Sequence, residues 1–284
     1  MTGESRDMTG ESRGVPDGSR GTGELLGSRA LVTGASRGIG RGIALGLAAA
    51  GADVAVNYHV PPSAEFGHDN AADARAVVAE IERLGRRAVA VEADVSSGAA
   101  VTAMVDDVVD RLGGLDILVN SAGICPFHEV LTMPEELWDR VHSVNLKGAF
   151  LCSQAVAKVL VAAGRGGRII SVSSVSALVG GAMQAHYTPT KAGLHSLMQS
   201  MAIALGPHGI TCNSVMPGAI GTDINAEDWS DPDKLAYLNG RIPLGRIGEP
   251  ADVAGPVVFL ASPAARYVTG AGLLVDGGLF VNLQ

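Results

Sequence analysis

Residues 29–40 read RALVTGASRGIG, and this stretch decides the fold. Arg29–Val32 is a short apolar run that predicts a buried strand. A glycine-rich turn, Thr33–Gly40, follows at once, and apolar residues then recur at the spacing of a helix. Strand, glycine turn and helix in this order are the context of a dinucleotide-binding turn, whose helix N-terminus offers amide hydrogens to a pyrophosphate. An ordinary strand–helix loop is an alternative that the turn alone leaves open.

The alternation of strands and helices continues along the chain and sets the fold class. Short apolar runs predict strands, and longer amphipathic runs between them predict helices. Helices between successive strands imply right-handed crossovers and one α/β domain, a Rossmann-type doubly wound parallel sheet with helices on both faces. The predicted strands are 29–32, 53–57, 87–92, 117–120, 168–172, 211–216 and 272–275; the predicted helices are 71–84, 101–112, 134–163 (one broken helix or two), 187–205, 223–239 and 250–260.

Residues 1–27 lie outside this alternation and are predicted to be a disordered tail. They are polar and glycine-rich, and the hexapeptide Met1–Arg6 recurs as Met8–Arg13, so Met8 is a candidate start. Such a segment buries little apolar surface. The folded domain is then predicted over residues 28–284.

Composition excludes several classes of protein. The chain has 284 residues, 47% of them hydrophobic, and its net charge of −8 argues against nucleic acid or an anionic membrane as main partner. No uninterrupted apolar run of about 18 residues and no apolar N-terminal segment occur, so we expect neither a membrane span nor a secretory signal. Cys125, Cys152 and Cys212 lack metal-ligand spacing, so we expect no metal site and reduced thiols in a cytoplasm.

Tyr187 and Lys191 are the most reactive pair that the sequence predicts. Four positions apart on a predicted helix, they share a face. A free tyrosine has a pKa of about 10 and is a poor base at neutral pH. A lysine charge about 4 Å away supplies roughly 4 kcal/mol at an effective dielectric of about 20, enough to lower the pKa of the phenol toward neutrality. A solvent-facing pair is the alternative, and Ser174 upstream argues against it.

Together these residues resemble the classical short-chain dehydrogenase/reductase family. The resemblance runs from about Ser28 to Gln284, and the ordered set of motifs is specific although each motif alone is weak. One departure is Ser121, where the family usually has a second asparagine before Ala122-Gly123. The motifs are Thr33-Gly34-x3-Gly38-x-Gly40, Asp94-Val95, Asn120-Ser121-Ala122-Gly123, Asn145, Ser174, Tyr187-x3-Lys191 and Pro217-Gly218.

The resemblance implies a role for each motif in a nicotinamide-dependent oxidoreductase. Tyr187 would be the general base in oxidation, Lys191 would lower its pKa and hold the nicotinamide ribose, and Ser174 would hydrogen-bond the substrate oxygen. Asn145 would interrupt its helix and bind a water that relays protons from Lys191. The implied cofactor contacts are Gly34, Ser36, Arg37, Gly38, Ile39, Gly40, His59, Asp94, Val95, Asn120, Ala122, Gly123, Tyr187, Lys191, Pro217, Gly218, Ile220 and Thr222.

Residues 57–59 bear on which cofactor is bound. A carboxylate about 20 positions after the glycine turn would bind the ribose 2′-hydroxyl of NAD. The sequence there is Asn57-Tyr58-His59, whereas Arg37 inside the turn can pair with a 2′-phosphate. We therefore expect NADP to be preferred and NAD also to be accepted. The alternatives are that Arg37 is a solvated loop charge and His59 an ordinary loop residue.

Several segments are similar to those of bacterial L-rhamnose 1-dehydrogenases, which oxidise the anomeric carbon of the sugar to a lactone. The segments are 122–128, 176–191, 222–225 and 276–284. This similarity implies a small-molecule substrate, L-rhamnose or a similar 6-deoxy aldose. The implied substrate contacts are Phe127, His128, Ser174, Ser176 and Gln184, with ordinary loop polarity as the alternative for all but Ser174.

Two other functions stay open from the sequence. A 3-oxoacyl-[acyl-carrier-protein] reductase needs a basic patch beside the active-site mouth, for which Arg165 and His208 are modest candidates. A catalytically silent NADP-binding regulator is the other, and the intact catalytic residues argue against it. Family members are commonly tetramers, so we expect a homotetramer in which the apolar Phe280–Gln284 packs against another subunit.

Overall fold

The structure of the protein is a computed structural model that describes residues 23–60, 69–222 and 230–282. Within them, the strands of the sheet are β1 (Arg29–Val32), β2 (Asp53–Tyr58), β3 (Ala88–Glu92), β4 (Ile117–Asn120), β5 (Gly167–Val172), β6 (Ile210–Pro217) and β7 (Gly272–Val275). Their spatial order is β3-β2-β1-β4-β5-β6-β7, and every pairing is parallel. The chain runs outward from β1 in one direction and from β4 in the other, so the topological switch point lies between these two strands.

Helices cover both faces of the sheet, which confirms the predicted fold class. The described helices are α1 (Gly38–Ala49), α2 (Asn70–Arg83), α3 (Gly98–Leu112), α4 (Glu135–His142), α5 (Gly148–Ala163), α6 (Thr188–Leu205), α7 (Pro232–Arg241) and α8 (Pro250–Ala261). Buried residues of α1, α2 and α8 form a core on one face, and those of α3, α5 and α6 form a core on the other. Ala30 and Val32 join the first core and Leu31 the second, as the pleat of a strand dictates.

Helices α1 and α8 pack closely because α1 carries glycines on the shared face. A Cβ at Gly42 would lie 2.6 Å from the Cβ of Pro250, and one at Gly46 would lie 2.8 Å from the Cβ of Ala254. Leu25 is 2% exposed and belongs to the same core. Residues 23–27, which the sequence analysis assigned to the tail, therefore pack onto the fold.

The predicted helical region 134–163 consists of two helices joined by a π-helical turn. Helix α4 ends at His142, Ser143–Lys147 form the π turn, and α5 continues from Gly148. Within the described residues, Glu135–Ala163 is the one helical run long and apolar enough to span a membrane by length and composition alone. Cys152 and Leu160 of this run are fully buried in the core on the α3 side of the sheet, as residues of a core helix are.

Most predicted boundaries agree with the structure to within a few residues. Strands β1, β4 and β7 have the predicted limits. Of the predicted helix over 223–239, the structure describes only the part from residue 230 onward, which contains α7. Residues 1–22 of the predicted tail, residues 61–68 of the loop after β2, residues 223–229 and residues 283–284 lie outside the described residues.

Candidate active site

The loops that follow the strands meet at the carboxyl edge of the sheet. The glycine turn follows β1, Asp94 follows β3, residues 121–128 follow β4, Ser174 follows β5 and Gly218 follows β6. In a doubly wound sheet, ligands bind at this edge beside the switch point. The fold therefore brings the predicted motifs, which are scattered along the sequence, to one side of the molecule.

The glycine turn between β1 and α1 is tightly packed against the loop after β4. Gly34 has φ +61° and Gly38 has φ +55°, a left-handed conformation that favours glycine. A Cβ at Gly34 would lie 2.8 Å from the Cα of Ala122, and one at Gly40 would overlap the carbonyl oxygen of Gly34. Glycine at these positions is what allows the turn to close this tightly.

The N-terminus of α1 is suited to hold a phosphate group. The structure describes the whole of α1, and its N-cap residue is Arg37. No side chain in this helix caps the N-terminus, and the first turn of the helix has no acidic residue. The amide hydrogens of the first turn and the helix dipole favour an anion at this point. Ser36 is buried, while Gly38 and Ile39 are partly exposed beside it. The residues present therefore fit the pyrophosphate of a dinucleotide.

Asn57 holds the glycine turn in place, a role that the sequence analysis missed. Its Oδ1 accepts a hydrogen bond from the N–H of Gly34 at 3.2 Å. Its Nδ2 donates to the carbonyl oxygens of Tyr58, Val91 and Ala93 at 3.2, 3.3 and 3.2 Å. A carboxylate could accept the first bond but could not donate the others. The sequence did contain a signal, since Asn57 stands near the place where an NAD-specific carboxylate is expected.

The loop after β4 is held by Thr33, another residue that we had quoted only as part of the turn. The Oγ1 of Thr33 accepts hydrogen bonds from the N–H groups of Ser121 and Ala122 at 3.0 and 3.1 Å. Asn120 is 4% exposed, and its Nδ2 donates to serine hydroxyls on α5 and β5 at 2.9 and 3.3 Å. The Asn120 side chain is thus directed into the fold, where its amide group holds the end of β4.

The residues predicted to contact adenine lie after β2 and β3. Asp94 accepts hydrogen bonds from the N–H and Oγ of Ser96 at 2.9 and 2.7 Å. Burial raises the pKa of Asp94, but these bonds and the charges of His59 and Lys147 outweigh it, so the pKa is lowered overall. His59 is exposed at the end of β2. Val95 is 6% exposed and packs against α5, so little of its side chain is left for an adenine ring.

The segment after β6 lies beside the glycine turn. Pro217 is the last residue of β6, and the N–H of Gly218 donates to the last residue of β7 at 3.1 Å. Ile220 is 5% exposed and forms a β-bridge with the segment before α8. A Cβ at Gly38 would lie 3.6 Å from the Cγ2 of Thr222, which places Thr222 next to the turn.

Tyr187, Lys191 and Ser174 come together at the start of α6. Tyr187 is the N-cap of α6, and the Nζ of Lys191 lies 5.4 Å from the centre of its ring. The side chain of Ser174 lies close enough to the Tyr187 phenol to oppose the rise of its pKa. Lys191 is 5% exposed, and its Nζ donates to the carbonyl oxygen of Val172 at 2.9 Å. A solvent-facing pair is therefore excluded, and phenol, hydroxyl and ammonium groups share one site.

Withdrawal from water shifts the pKa of both titrating groups. It raises the pKa of Tyr187; a thiolate at Cys125 would add to this effect, and the side chain of Ser174 opposes it. It lowers the pKa of Lys191 from 10.5 to about 8. The sequence analysis predicted a lowered pKa for Tyr187, and this direction is wrong for the protein without its cofactor, because desolvation penalises phenolate and ammonium alike. At neutral pH the pair is a phenol and an ammonium.

Asn145 lies in the π turn between α4 and α5 and connects three parts of the site. Its Oδ1 accepts from the N–H of Ile124 at 2.8 Å, and its Nδ2 donates to the Ile124 carbonyl at 2.9 Å and to Thr190 Oγ1 at 3.3 Å. A Cβ at Gly123 would lie 3.4 Å from Asn145 Oδ1 and 3.6 Å from Lys191 Nζ. The two side chains therefore reach the same glycine from different helices.

Residues on the loops around Tyr187 form the open side of the site. Phe127 is 49% exposed and His128 is half-buried beside it. Ser176 Oγ donates a long hydrogen bond of 3.5 Å to Gln184 Oε1. Cys125, which was not among the predicted site residues, has its sulfur 3.6 Å from Gln184 Nε2. Across the described ranges, no cluster of three or more His, Cys, Asp or Glu is placed to hold a metal ion.

Known proteins match this chain over most of its length. Residues 34–280 match a family model described as Enoyl-(Acyl carrier protein) reductase. L-rhamnose 1-dehydrogenase (NAD(P)(+)) of Sphingomonas sp. is 55% identical over 260 residues, which are 92% of this chain and 99% of the relative. The 3-oxoacyl-[acyl-carrier-protein] reductase of Staphylococcus aureus is 44% identical over 252 residues, 89% of this chain and 98% of the relative. The crystal structure of a gluconate 5-dehydrogenase from Burkholderia cenocepacia in complex with NADP and tartrate has a TM-score of 0.82 at 35% identity, covering 90% of this chain and 96% of that one.

Proposed function

Because this chain belongs to the short-chain dehydrogenase/reductase family, we propose that it oxidises L-rhamnose, or a similar 6-deoxy aldose, at C1 to the lactone, with NADP or NAD as hydride acceptor. The observation that carries the chemistry is the meeting of Ser174, Tyr187 and Lys191 at the carboxyl edge of the sheet, beside an uncapped helix N-terminus. The likeness to the Sphingomonas sp. enzyme over almost the whole chain supports the choice of sugar. Residues 28–284 would form the catalytic domain.

The chain's own residues manage the proton and the placement of the sugar. When bound, the nicotinamide supplies the hydride acceptor. Tyr187 first loses its own proton toward solvent and then, as the phenolate, takes the proton of the C1 hydroxyl, while Ser174 hydrogen-bonds the same oxygen as its charge changes. Lys191, an ammonium at neutral pH, stabilises the phenolate once its proton is lost and would hold the nicotinamide ribose. Asn145, whose Oδ1 lies near the same glycine as the Nζ of Lys191, would hold a water that returns protons to solvent.

NADP is the cofactor that the site favours, with NAD as a second acceptor. The structure describes all of the first turn of α1, and this turn has no acidic residue that would repel a phosphate. Asn57 lies near the position where an NAD-specific enzyme is expected to carry a carboxylate. Arg37, at the N-cap of α1, supplies a guanidinium for the 2′-phosphate. His59 and Asp94 would lie toward the adenine ribose and adenine, respectively.

The open side of the site is proposed to bind the sugar. Ser176 and Gln184 offer a hydroxyl and a carboxamide, and Phe127 and His128 stand at the rim. Polar groups of this kind can pair with the several hydroxyls of an aldose. Each pairing discriminates strongly, because a buried polar group left without its partner is costly.

We further propose that the protein is a cytoplasmic homotetramer. Large apolar side chains are exposed on two separate faces. Phe150 and Ile203 lie on α5 and α6, and Phe259, Tyr267 and Val281 lie around α8, β7 and the C-terminal segment. Two such faces suit the two kinds of interface that a tetramer with dihedral symmetry requires. Light scattering coupled to size-exclusion chromatography measures the number of subunits.

Reduction of a carrier-protein thioester is the competing activity, and the fold gives it less support. The two basic candidates for an acidic carrier protein, Arg165 and His208, precede β5 and β6. They therefore lie at the amino edge of the sheet, opposite the site. Arg165 is also paired with Asp116 at 3.1 Å. Neither residue forms a basic patch at the mouth of the active site.

The test is a comparison of substrates with the purified wild-type protein and its Tyr187→Phe variant. NADP and NAD reduction would be followed with L-rhamnose, L-fucose, L-mannose and D-glucose, and thioester reduction with an acetoacetyl thioester in parallel. We expect saturable oxidation of L-rhamnose and a loss of about a hundredfold or more in the variant, the usual contribution of a general base. Thioester reduction without sugar oxidation would replace the substrate class, and activity that survives Tyr187→Phe would refute the mechanism.

A further inference from the structure

The loop after β4 is held on both sides of Cys125. The N–H and the carbonyl of Ile124 both bond to the carboxamide of Asn145, at 2.8 and 2.9 Å. The carbonyl oxygen of Pro126 accepts from the Nε2 of His186 at 2.7 Å, and His186 is fully buried. Residues on either side of Cys125 are therefore tied to the π turn and to the turn before α6, and the position of its thiol is set by the fold.

The carboxamide of Gln184 lies against this loop and has a partner at each end. Its Nε2 donates to the Sγ of Cys125 at 3.6 Å, and its Oε1 accepts from the Oγ of Ser176 at 3.5 Å. Ser176 is fixed in turn, because its N–H donates to Ser174 Oγ at 3.0 Å. The two contacts hold the carboxamide against the loop, with its Nε2 toward the sulfur and its Oε1 toward the serine hydroxyl.

Gly181 leaves the space that this orientation needs. A Cβ at Gly181 would overlap Gln184 Oε1, whereas one at Gly180 would meet no described atom within 4 Å. Neither glycine is among those with positive φ, so alanine fits the backbone at both positions. Gly181→Ala would thus push the end of a flexible side chain aside and leave the backbone as it is.

The thiol of Cys125 suits this role because it stays protonated. Burial raises its pKa to about 11, although Lys191 and the bond from Gln184 oppose the shift. A neutral thiol accepts a weak hydrogen bond without adding a negative charge beside the catalytic tyrosine.

We propose that Cys125 and Gly181 are positioning residues that fix the carboxamide of Gln184 for recognition of two neighbouring sugar hydroxyls. With one N–H on sulfur and one lone pair on Ser176, the carboxamide has one N–H and one lone pair left over. Adjacent hydroxyl groups of an aldose each donate and accept, so the pair matches this remaining donor and acceptor. The identity of the ligand in this inference rests on the proposed function. The position of the Gln184 side chain is independent of that function.

The kinetic test uses single and double variants with L-rhamnose. Cys125→Ala and Gly181→Ala should each raise the KM for the sugar by about three- to tenfold, as expected for one weakened hydrogen bond. The kcat and the KM for NADP should stay within about twofold, and Cys125→Ser should recover most of the loss. Gly180→Ala is the matched control for Gly181→Ala and should leave all constants unchanged. In a Gln184→Ala background, Cys125→Ala should have no further effect.

Three results would overturn the inference. They are an unchanged sugar KM in both Cys125→Ala and Gly181→Ala, an equal effect of Cys125→Ala with and without Gln184, and a fall confined to kcat. Crystal structures of Cys125→Ala and Gly181→Ala give an independent decision, since each should show Gln184 in another rotamer. If the wild-type protein oxidises no sugar, the proposed function fails. The inference is then decided by these structures alone, and an unchanged Gln184 would refute it.

Discussion

Replacing Lys191 by methionine should abolish oxidation and yet make the cofactor-free protein more stable at neutral pH. Burial lowers the pKa of Lys191 from 10.5 to about 8, a difference of about 2.5. At about 1.4 kcal/mol per unit, it costs the folded state up to about 3 kcal/mol while the lysine is charged. Loss of the hydrogen bond to Val172 offsets about 1 kcal/mol. The net gain is about 2 kcal/mol, or about 4–8 °C in Tm for a domain of this size.

The stability advantage of Lys191→Met over the wild type should depend on pH in a definite direction. The unfolded lysine titrates near 10.5 and the folded one near 8, so between these values the unfolded state binds more protons. Wild-type stability should therefore rise with pH across this window relative to the variant, and the advantage of Lys191→Met should shrink. Urea unfolding followed by circular dichroism, from neutral pH to about 10, measures it. Lys158→Met, at an exposed position on α5, is the control. A variant that is less stable at neutral pH, or a difference that does not change with pH, would refute the reasoning.

Three further predictions concern the cofactor site. Arg37→Ala should lower the ratio of kcat/KM for NADP over NAD by about tenfold, because a charge-assisted bond to the 2′-phosphate is lost; an unchanged ratio assigns that phosphate to another residue. Gly34→Ala should cost about 1–3 kcal/mol more than Gly164→Ala in urea unfolding. The two glycines have φ +61° and +65°, but only the Gly34 Cβ meets described atoms within 4 Å, so equal costs would exclude the contact as the cause. Asn57→Asp should lower Tm by several degrees, since a carboxylate would face the carbonyl oxygens to which the Asn57 Nδ2 donates, and a Tm equal to that of the wild type would contradict the hydrogen-bond assignment.

The strands and helices were predictable because their signals are local. The period and length of the apolar runs place β1, β4 and β7 at their observed limits, and Pro250 at the first position of α8 marks its start. Leu25 was missed because one buried leucine in a glycine-rich stretch has no periodicity. Its burial depends on the end of α1, where its N–H donates to the carbonyl of Ala50 at 2.9 Å.

The site was predictable in its motifs and unpredictable in its hydrogen bonds. The glycine turn, Ser174 and the Tyr187–Lys191 pair have spacings that can be read directly. Two of the four partners of Asn57 lie 34 and 36 residues away, on and after β3, so no local pattern predicts these hydrogen bonds. The raised pKa of Tyr187 depends on how completely the assembled loops remove water, which spacing alone does not give.

The most direct test of the account follows the hydrogen on C1 of the sugar. L-rhamnose deuterated at C1 would be incubated with the wild-type protein and NADP, and both products examined by mass spectrometry. The account predicts that the deuterium is found in the reduced nicotinamide and that the sugar product is an unlabelled lactone. Deuterium retained in the sugar product, or reduced cofactor formed without label, would show that oxidation takes place at another carbon and would contradict the central claim.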